Sequence, residues 1–563
     1  MSTSRQLEGF PTFPDGVVEH YRGRGLWGGR TIPDEFRAVA EQYPSNDAVV
    51  DRDRRLTYAE LDASTDSIAG GLLEAGLEPG DRVTMQIGNT VEAIELIYGL
   101  LKAGLVPVCT LMAHGHHEID SIASSVQARA HAIDLRDKTD ERVVFAREVR
   151  DRVPTVARVI QVSPGPAAPG AHDFLALDDL RQTPADVAQT RLSKIEGTID
   201  PDDIAVMQLS GGTSGTPKLI PRLHAEYWYN GRATAARWAV TPEDRVAHVI
   251  PIVHNAGMHG ALWPAHSSGA TLVLEDLSRG LDVFATLVEE KVTGMMMLPT
   301  FLNNADHPLI DALVASLRWM SMSGAKVPAA VFDRLEGAGV VVGQNFGMTE
   351  GIILATPLDS PEEMRRHTVG FPLSAHDEVR IVDPDDPSVE LPLGESGELI
   401  ARGPYTIRGY YDAVEHNARA FTADGFYRTG DVMTAVEIEG IVAYKVEGRI
   451  KDLIDRGGEK INASEVEALL LSHPRIQLAA VVPMPDERLG ERACAYVVSD
   501  DGRPVTLEEV REHLRTLELA KYKWPERIET IEALPRTAVG KIAKRALAAE
   551  IAATVVAERH DAR

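Results

Sequence analysis

The sequence predicts an α/β protein with a large N-terminal domain and a small α+β C-terminal domain. Three observations predict it. A chain of 563 residues is longer than one hydrophobic core usually organises. From about residue 56, helical and strand patterns alternate, as layered parallel sheets with helices require. After Gly448 the alternation gives way to a charged, glycine-punctuated stretch and then a short α+β pattern.

In chain order, Ala59–Ala75 reads as a helix, with Leu61, Ile68 and Leu72 on one face. Arg82–Ile87 reads as a strand, Val91–Ala103 as a helix and Leu105–Cys109 as a strand. Gly76, Pro79, Gly80 and Gly104 mark the turns between them. The apolar region Ile94–Ala113 holds Glu95, Lys102 and Pro107, so it reads as a helix and a buried strand, not a membrane span. Ser163–His172 is a Pro/Gly/Ala-rich surface loop. Arg449–Asn462 reads as a polar connector, which sets the expected domains at 1–450 and 451–563. Beyond it, Ala463–Ser472 and Leu507–Thr516 read as helices, and Gln477–Val482 and Ala493–Val498 as strands.

Composition narrows the function. The chain is 44% hydrophobic and 25% charged, ordinary for a soluble globular protein. A net charge of −26 disfavours nucleic acid and anionic membranes as partners. Cys109 and Cys494 are the only cysteines and suggest neither a metal site nor a disulfide framework. The N-terminus lacks a basic start followed by an apolar run, so no signal peptide is expected. A cytoplasmic location follows as the expectation.

The densest chemical signal is Leu209–Lys218 (LSGGTSGTPK), after the apolar run Ile204–Leu209 that reads as a strand. Gly211, Gly212 and Gly215 let backbone N–H groups converge on an anion. Ser210, Thr213, Ser214 and Thr216 add hydroxyl donors and Lys218 adds a charge. The segment points to phosphate binding, yet it lacks the Gly-x-x-x-x-Gly-Lys-Ser/Thr spacing of a Walker loop. A G-x-G-x-x-G match at Gly23–Gly28 follows no strand pattern and is a chance match.

The loop resembles the phosphate loop of the acyl-adenylate-forming superfamily of ligases, adenylation domains and luciferases. Seven further motifs of that superfamily follow the same order along residues 50–545: LTYAEL (56–61), LKAGLVP (101–107), QNFGMTEG (344–351), GELIARGPYTIRGY (397–410), YRTGD (427–431), GRIKDLIDRGGEKINASEVE (448–467) and PRTAVGKI (535–542). The resemblance implies an N-terminal domain of parallel sheets and helices with a distorted β-barrel, and a small mobile C-terminal domain. It implies ATP and Mg²⁺, and a reaction in which a carboxylate attacks the α-phosphate and releases pyrophosphate. Charge then spreads over phosphoryl oxygens, and positioning, cations and donors carry the catalysis.

Carried over residue by residue, the resemblance gives Glu350 to Mg²⁺ and Thr349 to the α-phosphate. Asn345, Phe346, Gly347, Met348, Gly324 and Ala325 would surround the nucleotide. Asp431 would grip the ribose hydroxyls, with Arg449 near ribose and phosphates. Lys541 would contact the substrate carboxylate and phosphate, Lys451 would be the hinge, and Gly457 and Gly458 would border a pantetheine tunnel. The acceptor would be CoA or the phosphopantetheine arm of an aryl or peptidyl carrier protein, and the enzyme a monomer or homodimer.

Within the superfamily, His254–Asn255, SGAK at Ser323–Lys326, RGGEK at Arg456–Lys460, YRGRGLW at Tyr21–Trp27 and PRLHAEY at Pro221–Tyr227 resemble stand-alone aryl-acid AMP ligases of the dihydroxybenzoate/salicylate type, and aryl-CoA ligases. The resemblance makes His254 a gate beside the adenylate and Asn255 the reader of a 2-hydroxy or 2-amino group. Ser323, Gly324, Gly347, Ile353 and Leu354 would complete the substrate wall. Three positions depart from the siderophore pattern: Ala256 stands for a tyrosine, Gly260 for a serine and Leu354 for an asparagine. Smaller and less polar residues there predict a 2-hydroxyaryl acid with alkyl groups or a second fused ring, in secondary metabolism. The rivals are a dihydroxybenzoate or salicylate ligase, another acyl-CoA ligase, a luciferase-like oxidase and a non-catalytic nucleotide-binding homologue.

Overall fold

The fold below comes from a computed structural model, which describes residues 9–136, 139–165, 168–210, 217–280, 282–297, 308–323, 327–450, 453–456, 459–517, 519–537 and 542–561. Contacts divide the chain into two compact units: Met1–Glu378 with Ala401–Tyr427, and Val379–Ile400 with Arg428–Arg563.

Among the described residues, the first unit holds two large sheets. Seven strands run in the order Leu175–Ala176, Arg158–Gln161, Ala130–Ile133, Arg82–Gln86, Val106–Thr110, Ile204–Leu209, Leu219–Leu223. Neighbours pair in parallel until the last hairpin, where Leu209 faces Leu219 across an antiparallel pair. A nine-stranded sheet has a parallel centre of Arg245–His248, Gly294–Met297, Trp319–Met322 and Val341–Gly347, and Ile353–Ala355 folds back antiparallel at one side.

The helix expected at Ala59–Ala75 runs over Tyr58–Glu74, begun by a Thr57/Glu60 capping box. The helix Val91–Lys102 is buried along its whole length. Its charges survive burial because each is paired. Glu95 meets Arg181 at 2.6 Å and Arg54 at 2.9 Å, and Lys102 meets Asp62 at 2.6 Å. This is a buried core helix, as its charges predicted; among the described residues no helix is long and apolar enough to cross a membrane.

In the second unit, a four-stranded sheet runs in the order Glu378–Val382, Ser396–Arg402, Tyr427–Ile438, Ile441–Arg449. The C-terminal α+β body follows, with Ile476–Asp486 and Gly490–Ser499 as its long hairpin and Arg527–Thr530 parallel to the latter. Leu507–Thr516 is the helix expected, started by a Thr506/Glu509 capping box. One expectation is corrected here. The segment 449–462 is not merely a connector, because Leu453–Arg456 and Glu459–Asn462 pair as an antiparallel hairpin. Ile454 and Ile461 face each other across the hairpin and are fully buried, a single apolar position on each strand separated in sequence by charges and glycines.

Candidate active site

The site of the first unit is built at the end of the strand Val341–Gly347. That strand leaves the sheet, turns through Met348–Ile352 and returns as Ile353–Ala355, with Gly347 opposite Ile353 and Phe346 opposite Leu354. Gly351 permits the turn. Its φ is +126°, and a Cβ there would lie 1.9 Å from the Tyr405 carbonyl oxygen. Glu350, at 9% exposure, is thereby held at the turn, and its Oε1 accepts a hydrogen bond from the Tyr410 hydroxyl at 2.7 Å. Burial and the Glu350 carboxylate raise the Tyr410 pKa far above its ordinary value, so the phenol stays a donor.

The phosphate-loop segment meets the same residues. Ser210 and Lys218 close the hairpin, with the Ser210 N–H on the Lys218 carbonyl at 2.9 Å and the Lys218 N–H on Ser210 Oγ at 3.0 Å. Lys218 Nζ stands 5.6 Å from the centre of the Tyr410 ring. The glutamate motif, one cation of the loop and Tyr410 therefore adjoin. Glu350 fits a Mg²⁺ that travels with ATP, because such ions usually take one or two carboxylates and fill the rest with phosphate and water.

Sequence reading missed the residue that organises this region. Arg222, fully buried, forms a bidentate pair with Glu226, with both contacts at 2.8 Å. It also donates to Asn255 Oδ1 at 3.3 Å and to the carbonyls of Thr349 at 3.2 Å and Tyr405 at 3.3 Å. Burial opposes its charge, but the Glu226 carboxylate outweighs burial and raises the guanidinium pKa. One cation thus fixes Asn255 and the backbone beside Glu350. The available signal was the opposite charges of Arg222 and Glu226 within the quoted PRLHAEY, where the strand Leu219–Leu223 runs straight into the helix His224–Arg237.

Asn255 is 3% exposed. Its Oδ1 also accepts from the Tyr227 hydroxyl at 2.7 Å, and its Nδ2 donates to the Met348 carbonyl at 3.3 Å. His254 caps the short helix that follows, its Nδ1 accepting from the Ala256 N–H at 3.2 Å. Asn345 turns its amide to Ser321 Oγ at 2.6 Å, inside the sheet. Gly347 is exposed, while Phe346, Met348 and Ser323 are half-buried.

Two substrate-wall expectations are corrected. Leu354 is fully buried and, one residue on from Ile353 in a strand, faces the opposite side of the sheet. It therefore does not share a surface with Gly347 and Ile353. Gly260 does not open space either: a Cβ built on it would lie 2.7 Å from Met296 Cε, so a methionine end fills the gap. Ala256 is half-buried and stays at the surface of this region.

In the second unit, Asp431 faces Arg449 across the strands, and Arg449 Nε donates to Asp431 Oδ1 at 3.0 Å. The turn before it is held by the Thr429 hydroxyl, which donates to the Leu399 carbonyl at 2.6 Å and accepts the Asp431 N–H at 3.0 Å. Gly211, Gly212, Thr213, Ser214, Gly215, Thr216, Gly324, Ala325, Lys451, Gly457, Gly458 and Lys541 lie outside the described residues.

Lys218, at the end of the glycine-rich sequence, stands near the tyrosine that holds Glu350, and on this architecture that fits an adenylate-forming ligase. The comparison with known families agrees, and the chain belongs to the AMP-binding enzyme family: its model matches residues 36–411, and that of the AMP-binding enzyme C-terminal domain matches 465–541. The chain is 38% identical to 2,3-dihydroxybenzoate-AMP ligase of Bacillus subtilis, over 98% of this chain and 99% of that one. It is 34% identical to 2-hydroxy-7-methoxy-5-methyl-1-naphthoate–CoA ligase of Streptomyces carzinostaticus, over 96% and 97%. Among solved structures, Mycobacterium smegmatis MbtA in its apo form superposes with a TM-score of 0.70 at 36% identity, covering 96% of this chain and 99% of that one. The protein is an ATP-dependent, adenylate-forming ligase.

Proposed function

We propose that the chain activates a 2-hydroxyaryl carboxylic acid as the aryl-AMP, releases pyrophosphate, and passes the aryl group to a pantetheine thiol. The observation that carries this is the exposed Gly347 lying opposite Ile353, at the end of the strand that leads into Glu350. A glycine facing an aliphatic side chain leaves a flat apolar slot suited to a planar ring. Asn255 lies beside it through Met348: its Oδ1 is filled by Arg222 and Tyr227 and one amide N–H by the Met348 carbonyl, so its second amide N–H is the group for a 2-hydroxyl oxygen. The relatives support the reading, since dihydroxybenzoate and a substituted 2-hydroxynaphthoate are both 2-hydroxyaryl acids.

In this reading Glu350, kept in place by Tyr410, holds Mg²⁺ against the phosphates. Lys218 and the hydroxyls of the loop take up phosphate charge, and the Thr349 hydroxyl reaches the α-phosphate. Asp431 binds the ribose, Lys541 bridges carboxylate and phosphate, and Lys451 is the hinge between the two half-reactions. His254 gates the site, and Gly457 and Gly458 line the thiol's approach. The acceptor is CoA or a carrier-protein arm.

Half-buried Ala256 favours an acid larger than dihydroxybenzoate, because an alanine leaves the room a tyrosine ring would take. Met296 beside Gly260 favours the second reading, a plain salicylate or dihydroxybenzoate, unless that flexible thioether moves aside. ATP–pyrophosphate exchange with salicylate, dihydroxybenzoates, alkylsalicylates, hydroxynaphthoates and fatty acids decides between them. Preference for dihydroxybenzoate over every bulkier acid selects the second reading, and exchange with fatty acids alone rejects both. Lys541→Ala should abolish exchange with the fold intact; normal exchange would refute the lysine's assignment.

A further inference from the structure

His259 lies in the same segment as Asn255 and no role has yet been given to it. The helix there widens into a π-turn over Met258–Leu262, a form that concentrates at functional sites. His259 is 4% exposed, and its Nδ1 is buried with no hydrogen-bond partner among the described residues. Its Nε2 stands 3.8 Å from the point a Cβ of Gly347 would occupy, and Ile353 Cγ1 stands 3.4 Å from that point. Since Gly347 is exposed, this nitrogen borders the slot in front of the glycine. Burial, and then the positive charge of Arg222, push the His259 pKa down to about 3, so the ring is neutral in any ordinary buffer.

A neutral imidazole carries one donor and one acceptor. In an apolar wall of glycine, isoleucine and methionine, such a group is costly unless something meets it. His259 follows Asn255 by four residues, where the short helix Asn255–Gly257 passes into the π-turn. A hydroxyl both donates and accepts, and so can meet Nε2 in either tautomer of the ring, while Nδ1 stays without a partner.

Resting on the aryl-acid reading above, we propose that His259 is a specificity-determining residue whose Nε2 hydrogen-bonds a ring hydroxyl of the substrate, on the ring edge remote from the carboxylate. The pocket is then not purely apolar. Polarity missing at Gly260 is supplied from the neighbouring position, and the preferred acid carries a second hydroxyl matched to it.

The test measures kcat and KM in pyrophosphate exchange for salicylate, its 3-, 4- and 5-hydroxy derivatives, their methoxy counterparts, and hydroxylated naphthoates. Wild type should favour one hydroxylated acid over its deoxy parent by about 10- to 100-fold in kcat/KM. His259→Leu should erase that ratio, mostly through KM, and leave exchange with the deoxy acid within about threefold. His259→Gln, which keeps an amide near the Nε2 position, should restore part of it. Equal loss on both acids in the leucine variant would make His259 merely structural and overturn the proposal. If that variant does not fold, the wild-type ratios decide alone: no hydroxylated acid preferred over its parent overturns the proposal and leaves the aryl-acid reading standing. No exchange with any aryl acid would overturn both.

Discussion

Two regions of the first unit, side by side, are built on opposite plans. Around Glu350, one network ties distant segments: Arg222 reaches Glu226, Asn255 and the carbonyls of Thr349 and Tyr405 at once, and Tyr410 holds one carboxylate oxygen. Around Gly347 stand an isoleucine and a histidine with a partnerless buried nitrogen. Charge that develops on phosphate needs donors fixed beforehand. A substrate wall can instead leave bonds open for the substrate to make. On the proposed reading, the reaction would rest on the tied network and the choice of acid on the open one.

The largest effect should come from breaking the tied side. Arg222→Met leaves Glu226 buried without its cation and should cost about 3–5 kcal/mol in urea unfolding. Arg222→Met with Glu226→Leu should regain much of that stability yet remain poorly active, because Asn255 and the Thr349 carbonyl lose their common donor. Full activity in the double variant would reduce the network to a packing feature. Next, Glu350→Gln should lower pyrophosphate exchange about 100-fold and raise the Mg²⁺ concentration needed, with thermal stability nearly unchanged.

The open side should respond selectively. Gly260→Ser must displace the Met296 methyl, and should cost about tenfold in kcat/KM for alkylated or bicyclic acids while sparing salicylate. A uniform loss across acids would mean that Met296 does not shape the pocket.

The smallest effect lies outside both regions. Burial raises the Asp377 pKa from 3.8 to about 7, although the Tyr405 hydroxyl and the Ser374 N–H bond to its carboxylate and Arg237 lies near. The folded chain therefore holds this proton more tightly than the unfolded chain. Its contribution to stability is complete below about pH 4 and is lost as the pH rises to about 7. Asp377→Asn should flatten that fall, read as a difference of a few degrees in melting temperature between pH 5 and pH 8. An unchanged pH profile would show that Asp377 is ionised throughout.

What the sequence disclosed was local. The helix Leu507–Thr516 carries its own caps, and Leu209–Lys218 and QNFGMTEG announce themselves by glycines that a backbone turn or an anion requires. What it hid was contact between distant segments. Met296 reaches the gap at Gly260 from the strand Gly294–Met297, and Arg222 binds carbonyls at 349 and 405. Leu354 was misplaced because the sequence did not show that 353–355 is a strand, in which neighbouring residues take opposite faces. The hairpin within 449–462 was read as a connector because charged residues interrupt its two apolar positions.

The most direct measurement omits the thiol: the enzyme is incubated with ATP, Mg²⁺ and one acid at a time, and the products are identified by mass spectrometry. An enzyme-retained aryl-AMP with stoichiometric pyrophosphate, formed from a 2-hydroxyaryl acid and not from a fatty acid, is the predicted result. Adenylate formed only from aliphatic acids, or ADP and phosphate in place of AMP chemistry, would contradict it.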